Sequence, residues 1–287
     1  MQNVDIVINA AALKQVPNCE YFPEQAIETN CMGPINIVRC IREHQLPVET
    51  VVGISTDKAC KPVNVMGLTK AIHERIFTSA NILSPKTRFI CTRYGNVLAS
   101  RGSVIPLFHE QIKNGGPVTL TVPEMTRFLM SIDQAVDCVF AALQFAEPGE
   151  TFVPSAPSTT VMNMAKALIG DRDIPIQVTG IRPGEKMHEL MISEEECHHT
   201  VRRGNFFAIR AMLPELQPAT DAKPAGLTKE FSSEDTVIGF EESTPQQAIQ
   251  KQELMIEQTP TLLRKRVIYS VRDKKVRHPT RYSWSLF

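Results

Sequence analysis

The sequence predicts an α/β protein built on a doubly wound, mainly parallel sheet, with a smaller subdomain beside it. Three observations carry that expectation. Short β-branched runs at residues 4–9 (VDIVIN), 50–54 (TVVGI) and 87–94 (TRFICTRY) have the length and composition of buried parallel strands. Between them, residues 23–43 and 68–77 place apolar side chains at helical spacing. A chain of 287 residues can bury one large α/β domain, or a domain plus a smaller one.

The first strand runs straight into Ala10-Ala11-Ala12-Leu13-Lys14-Gln15-Val16-Pro17. Small residues at a strand end let a ligand approach the backbone closely. The helical segment 23–43 (Ala26, Ile27, Met32, Ile37, Val38, Ile41) contains Thr29-Asn30 and is expected to be interrupted at Gly33-Pro34. The second strand leads into STDKACKPVNVMGLTK, residues 55–70, with Asn64 as the expected cap of the following helix. Thr56, Asp57 and Lys58 therefore sit where a strand of an open α/β sheet ends, and ligands bind outside such ends. A hydroxyl, a carboxylate and an amine side by side can handle protons in both directions. Met66 and Lys70, four residues apart, share one helix face.

The third strand ends at Gly95-Asn96-Val97, which by itself reads as a turn. An amphipathic helix over 106–114 is broken by Gly115-Gly116-Pro117 and followed by a short strand at 118–122. Next come Met125-Thr126-Arg127-Phe128-Leu129-Met130, a helix over 133–145 and a strand at 151–154. A helix over 161–168, capped by Thr160, precedes a strand at 176–179. Arg127 offers a planar fork suited to a diphosphate or a nucleotide hydroxyl. His188 is flanked by acids, but the sequence shows no source for the remaining ligands, and no metal is expected.

Composition removes several function classes. Thirty-one basic and 31 acidic residues balance, so no global charge points to nucleic acid or to a membrane surface. Seven scattered cysteines, never spaced C-x-x-C, fit reduced thiols in the cytoplasm rather than a disulfide framework. No apolar run has the length of a membrane span, and no secretory signal opens the chain. Beyond residue 239 the chain turns polar, and 264–281 packs eight Lys or Arg against one Asp, near Tyr269, Tyr282 and Trp284. Segment 241–287 is expected to be a mobile polar, then basic, tail rather than a nucleic-acid arm.

Five segments, NAAALKQVP, STDKACKPVNVMGLTK, RYGNVLASRGSV, MTRFLM and IRPGEKMHE, follow one another in an order that resembles a known family. It is the UDP-N-acetylglucosamine 4,6-dehydratase branch of the extended short-chain dehydrogenase/reductases, a capsule and polysaccharide-biosynthesis group. The likeness covers roughly residues 4–238 and fades near Phe231-Ser232-Ser233-Glu234. It implies a Rossmann-like catalytic domain over 1–240, its substrate subdomain formed mainly by about 97–125 and 146–240. It further implies a tightly kept NAD or NADP, a UDP-sugar substrate and a homo-oligomer. Ala10, Ala11, Ala12, Asn30, Ser55, Lys70 and Tyr94 would line the cofactor. Lys14, Asn96, Arg101, Val104, Arg127, Arg182 and Glu185 would contact substrate.

The reaction implied is loss of water from a UDP-linked N-acetylhexosamine to give a 4-keto-6-deoxy sugar. Thr56 would hydrogen-bond the 4-hydroxyl, and Asp57, with a raised pKa, would protonate the leaving hydroxyl. Lys58 would be the base at carbon 5, at least partly neutralised by burial. Lys70 would hold the nicotinamide ribose. Met66 stands where the superfamily commonly has tyrosine; a thioether has no proton to give, so the acceptor of the 4-hydroxyl proton stays open between Thr56, Asp57 and a water relay. The chain departs from the pattern in carrying no glycine-rich phosphate-binding turn. By resemblance, strand 4–9 is the fourth of the fold, so the sequence predicts a truncated sheet with a bare apolar edge. Two alternatives remain: a dehydratase that also epimerises carbon 5, and a non-catalytic remnant that binds UDP-sugar weakly through Arg127, Arg182 and Glu185 or merely associates with intact relatives. A simple 4-epimerase has no need of the Asp57-Lys58 pair.

Overall fold

The computed structural model describes residues 1, 3–98, 103–217, 226–239 and 267–270. Strand β1 (Ile6–Asn9) is buried along its whole length. Helices α1 (Val16–Tyr21) and α2 (Pro23–Ile27) follow, then a π-helical turn at Glu28–Met32 and α3 (Gly33–Glu43). The break expected at Gly33-Pro34 is this widened turn instead. Proline lacks an N–H and its ring crowds the carbonyl four residues back, so the helix widens just before it, the Gly33 N–H bonding the Glu28 carbonyl.

Strand β2 (Thr50–Thr56), α4 (Val65–Leu83) and β3 (Arg88–Tyr94) continue the parallel winding. Asn64 caps α4, its Oδ1 accepting the Gly67 N–H at 2.8 Å. There follow β4 (Asn96–Val97), α5 (Val104–Lys113), β5 (Val118–Leu120), β6 (Thr126–Met130) and α6 (Ile132–Phe145). A reciprocal capping box of Ser131 and Gln134 starts α6. Next are β7 (Thr151–Pro154), β8 (Ser158–Thr160), α7 (Val161–Ile169) and β9 (Ile176–Val178). Thr160 caps α7 as expected, accepting the Asn163 N–H at 3.0 Å. The chain then forms β10 (Leu190–Ile192), α8 (Glu194–Cys197), β11 (Thr200–Arg203), β12 (Phe206–Ile209), β13 (Phe231–Ser232) and β14 (Val267–Ser270).

The main sheet has the order β11-β12-β7-β3-β2-β1-β14. From β7 to β14 all neighbours are parallel; β12 and β11 add antiparallel at the other end. Two expectations change here. Strand β1 is not a bare edge, because Val267–Ser270 pairs with it in parallel register, Ile6 against Val267. An unpaired apolar strand presents a row of free backbone groups, and a β-branched and aromatic segment such as VIYS is suited to take them. The rest of the 241–287 tail lies outside the described residues. The second change concerns 146–240: β7, β11 and β12 belong to the main sheet, leaving β4-β6-β8, β5-β9 and β10-β13 as the small sheets of the subdomain.

Both faces of the main sheet are covered, which explains its continuous apolar strands. Val7, Val51 and Phe89 pack with Phe77 and Ile41 on one face, while Ile6, Ile8, Val52 and Ile90 pack with Ala142 and Phe152 on the other. A third cluster, Phe128, Met191, Ile192, Phe207 and Phe231, joins the subdomain to the sheet. Gly53 lies mid-strand in β2, where a Cβ would sit 2.5 Å from the Phe77 ring and 2.6 Å from His73 Nε2. Its missing side chain is what lets α4 press two rings onto the sheet.

Candidate active site

Strand β2 ends at Thr56, and Asp57–Ala59 continue as one 3-10 turn. This places Asp57 wholly inside the protein, with the Thr56 hydroxyl donating to its Oδ1 at 2.9 Å. The Lys58 ammonium sits between elements distant in sequence. It lies 3.1 Å from Asp57 Oδ1, 3.3 Å from Glu189 Oε1 and 3.5 Å from Asn96 Oδ1. Asn96 is delivered by the turn after β3, whose Gly95 could carry no Cβ without meeting Phe128 at 2.5 Å. Arg127, from β6, brings its Nε within 3.8 Å of Glu189 Oε1 and donates through Nη1 to the Thr126 and Met187 carbonyls. Asp57 Oδ2 and Glu189 Oε2 are buried and have no hydrogen-bond partner among the described residues.

These contacts set the charges. Burial pushes the Asp57 carboxyl above its usual range, with the Lys58 charge pulling the other way and Glu189 adding to the rise. Burial also acts to neutralise Lys58, but Asp57 and Glu189 outweigh it, and the amine is pushed above its ordinary value. Glu189 goes down: burial opposes ionisation, yet Lys58, Arg127 and Lys186 together favour the carboxylate. The shifts favour an ammonium at Lys58 and a carboxylate at Glu189, and they make Asp57 take up a proton more readily than an ordinary carboxyl. This corrects the expectation that burial alone leaves Lys58 partly neutral.

On α4, Met66 packs against Cys19 and Ala26 and is a core side chain. One turn on, Lys70 donates to the Ile54 carbonyl and lies 2.6 Å from Nδ1 of the buried His73. Burial lowers the Lys70 pKa to about 8. Asn30 is a brace. Its amide accepts from Leu13 N–H at 2.8 Å, donates to the Leu13 carbonyl at 3.0 Å and donates to Thr69 Oγ1 at 3.0 Å, holding the Ala10–Ala12 loop on α4. Asn9 Nδ2 and Ser55 Oγ, towards the ends of adjacent strands, are buried and have no hydrogen-bond partner among the described residues. These orphaned groups, the small Ala10, Ala11 and Ala12, and the Lys70 amine fit the nicotinamide-ribose half of a dinucleotide in donor chemistry.

Of the expected site residues, the structure brings Thr56, Asp57, Lys58, Asn96 and Arg127 into one cluster. Arg127 is turned inward onto carbonyls and Glu189 rather than standing as a free fork for a diphosphate. Tyr94 ends β3 with its phenol kept neutral by burial. Val104 packs into the apolar cluster around Phe108, so its side chain serves the core. Lys14 and Arg182 are exposed. Glu185 Oε2 accepts the Arg182 N–H at 3.3 Å, and Asn64 ties that loop to the start of α4 through the Gly184 carbonyl. Arg101 lies outside the described residues. His188 bonds Thr126 Oγ1 at 2.8 Å, and no three potential metal ligands converge among the described residues. Sequence reasoning missed Glu189, Asn9 and His73. The first closes a segment already singled out, but spacing does not say which of its charges points inward.

A sequence profile of the polysaccharide biosynthesis protein family matches residues 1–211, and the chain belongs to that family. A Methanocaldococcus jannaschii protein named as an uncharacterized membrane protein, MJ1061, is 45% identical over 73% of this chain and 66% of its own length. No helix among the described residues is long and apolar enough to cross a membrane. A Rickettsia bellii protein named UDP-glucose 4-epimerase is 45% identical over 82% of this chain and 71% of its own. The chain thus spans about two thirds of the length of these relatives. Among solved structures, Pen from Bacillus thuringiensis superposes with a TM-score of 0.78 at 33% identity, covering 88% of this chain and 78% of that one. Thermus thermophilus UDP-glucose 4-epimerase in complex with NAD gives 0.56 at 21% identity over 63% and 67%. That likeness shows the fold alone, a Rossmann-type sheet.

Proposed function

From membership of the polysaccharide biosynthesis protein family, we propose that this chain carries the catalytic residues of a sugar-nucleotide 4,6-dehydratase acting on UDP-N-acetylglucosamine. One observation carries the reading: a fully buried Asp57 carboxyl 3.1 Å from the Lys58 amine at the end of β2. Removal of water from a sugar needs an acid for the departing hydroxyl and a base for the neighbouring carbon, and adjacent residues at a strand end supply both.

A nicotinamide dinucleotide, when bound beside Ala10–Ala12 and Lys70, would supply the redox chemistry by storing the sugar's hydride. The protein's part is proton traffic. Thr56 meets the 4-hydroxyl, and its own bond to Asp57 Oδ1 makes Asp57 the end of that proton path. Asp57 then gives a proton to the hydroxyl leaving carbon 6. Lys58 removes the proton from carbon 5, which the adjacent ketone has made acidic. Met66, lodged in the core, takes no part in proton transfer. Lys70 would hold the nicotinamide-ribose end, with Asn30 bracing the loop that lines it.

A second reading, 4-epimerisation, is favoured by the name of the Rickettsia relatives. It asks only for a proton path at the 4-hydroxyl and leaves Lys58 without a task. Incubating the protein with UDP-N-acetylglucosamine and NAD and weighing the product separates the two. A product lighter by one water, absent in Asp57→Asn, is expected. A product of unchanged mass makes the protein an epimerase, and no product at all makes it a binding remnant.

A further inference from the structure

The ammonium of Lys58 is a poor base, and the two carboxylates around it make it poorer. Four charged groups face this point: Asp57 from the 3-10 turn, Glu189 from the segment before β10, Arg127 from β6, and Lys186, which acts on Glu189. Lys186 itself donates to the Cys60 carbonyl at 2.7 Å. Glu189 is fixed at both ends of its backbone unit, its N–H on Ser233 Oγ at 2.9 Å and its carbonyl accepting the Ser233 N–H at 2.8 Å. Its side chain is more than nine-tenths buried, and among the described residues one of its oxygens has no donor. A purely structural carboxylate is normally satisfied on both oxygens, and buried exceptions ask for a chemical reason.

We propose that Glu189 is the positioning residue for Lys58, holding it as an ammonium at rest and receiving its proton when the amine acts on carbon 5. The inference rests on the dehydratase reading above. The N–H proton moves from Lys58 to Glu189 Oε1, 3.3 Å away, leaving a neutral amine. The nitrogen lone pair then bonds the proton of carbon 5 as the C5–H bond breaks. That electron pair becomes the C5–C6 double bond, the C6–O bond breaks, and the departing oxygen takes the Asp57 proton and leaves as water. At the end Asp57 is a carboxylate, Lys58 an ammonium and Glu189 a carboxylic acid. Once Asp57 has taken up the 4-hydroxyl proton, the three groups carry no net charge either before or after this elimination, so the step places no new net charge in a poorly solvated site, where it would be costly.

The test compares the native protein with Glu189→Gln, which keeps the shape, and Glu189→Asp, which keeps the charge. In the first measurement, lysine labelled at Cε is titrated by NMR, with Lys58→Arg identifying the Lys58 signal. Glu189→Gln is expected to lower the Lys58 titration by at least about one pH unit, tenfold in its ionisation ratio. In the second, product formation by Glu189→Gln should fall about 10²-fold near neutral pH and climb as pH rises, with Glu189→Asp restoring part of the loss. An unchanged Lys58 titration overturns the proposal, and so does a Glu189→Gln protein that keeps the native pH profile. If the native protein makes no dehydrated product, the dehydratase reading fails, and the titration alone then decides whether Glu189 governs Lys58.

Discussion

Lys58 and Lys70 are both drawn away from water at the same end of the sheet, yet their pKa values move in opposite directions. Lys58 has Asp57 and Glu189 within hydrogen-bond distance and is pushed upward despite burial. Lys70 has the Ile54 carbonyl and the uncharged His73, and burial brings it down to about 8. Burial alone therefore does not say whether an amine is a cation or a base. The deciding quantity is whether an anion shares the same few ångströms, because a charge interaction in a poorly solvated interior far exceeds its value in water.

Removing one side of the charged cluster should have the largest effect. Lys58→Met leaves Glu189 without its nearest cation, and breaking a buried pair this way costs about 3–5 kcal/mol of stability. Product formation should drop about 10²–10⁴-fold as well. Chemical denaturation and turnover check both, and a variant of native stability would mean that Arg127 alone neutralises Glu189.

The Lys70 side of the comparison predicts a pH slope. Its folded pKa of about 8 lies below the ordinary 10.5, so between these values the unfolded chain holds more protons than the native one. Stability relative to Lys70→Met should therefore be least below pH 8 and rise as pH climbs towards 10.5, by on the order of 3 kcal/mol at most. Denaturant midpoints across that window measure it; a falling or flat difference would place Lys70 with Lys58 as a fixed cation.

Smaller changes probe how His73 is seated. Gly53→Ala forces a methyl against the Phe77 ring and His73 Nε2, and overpacking of this kind costs about 1–3 kcal/mol. The expected loss should be read from thermal unfolding, together with a changed Lys70 titration if His73 is displaced. His73→Phe keeps the edge-to-face contact with Phe77, now 4.8 Å between centroids, and should cost less than about 1.5 kcal/mol. It removes an acceptor of the Lys70 ammonium, so Lys70 should titrate lower still, whereas Lys58 should not respond.

What was legible in the sequence was local. The β-branched runs announced β1, β2 and β3, and Asn64 and Thr160 announced two helix starts, because strand faces and caps depend on residues within one turn of each other. Gly33-Pro34 misled for the same reason: the pattern marks a disturbed helix but does not say that a π turn absorbs it. The adjacency of Thr56, Asp57 and Lys58 was visible, as was their place at a strand end. Arg127 was legible as a residue that matters, but not as one whose fork is taken up by the Thr126 and Met187 carbonyls and by Glu189.

By itself, then, the sequence determined the winding of the sheet, the strand end that bears the acid and amine, and the family, because these follow from periodicity and from contiguous residues. Tertiary structure alone decided that β14 lies against β1, that Glu189 reaches Lys58, and that two lysines of one short stretch have their pKa values moved in opposite directions. The physical reason is range. Strand and helix preferences are settled by neighbours along the chain, whereas the charge of a buried group is settled by whatever the fold brings within about 4 Å of it, from any distance in sequence.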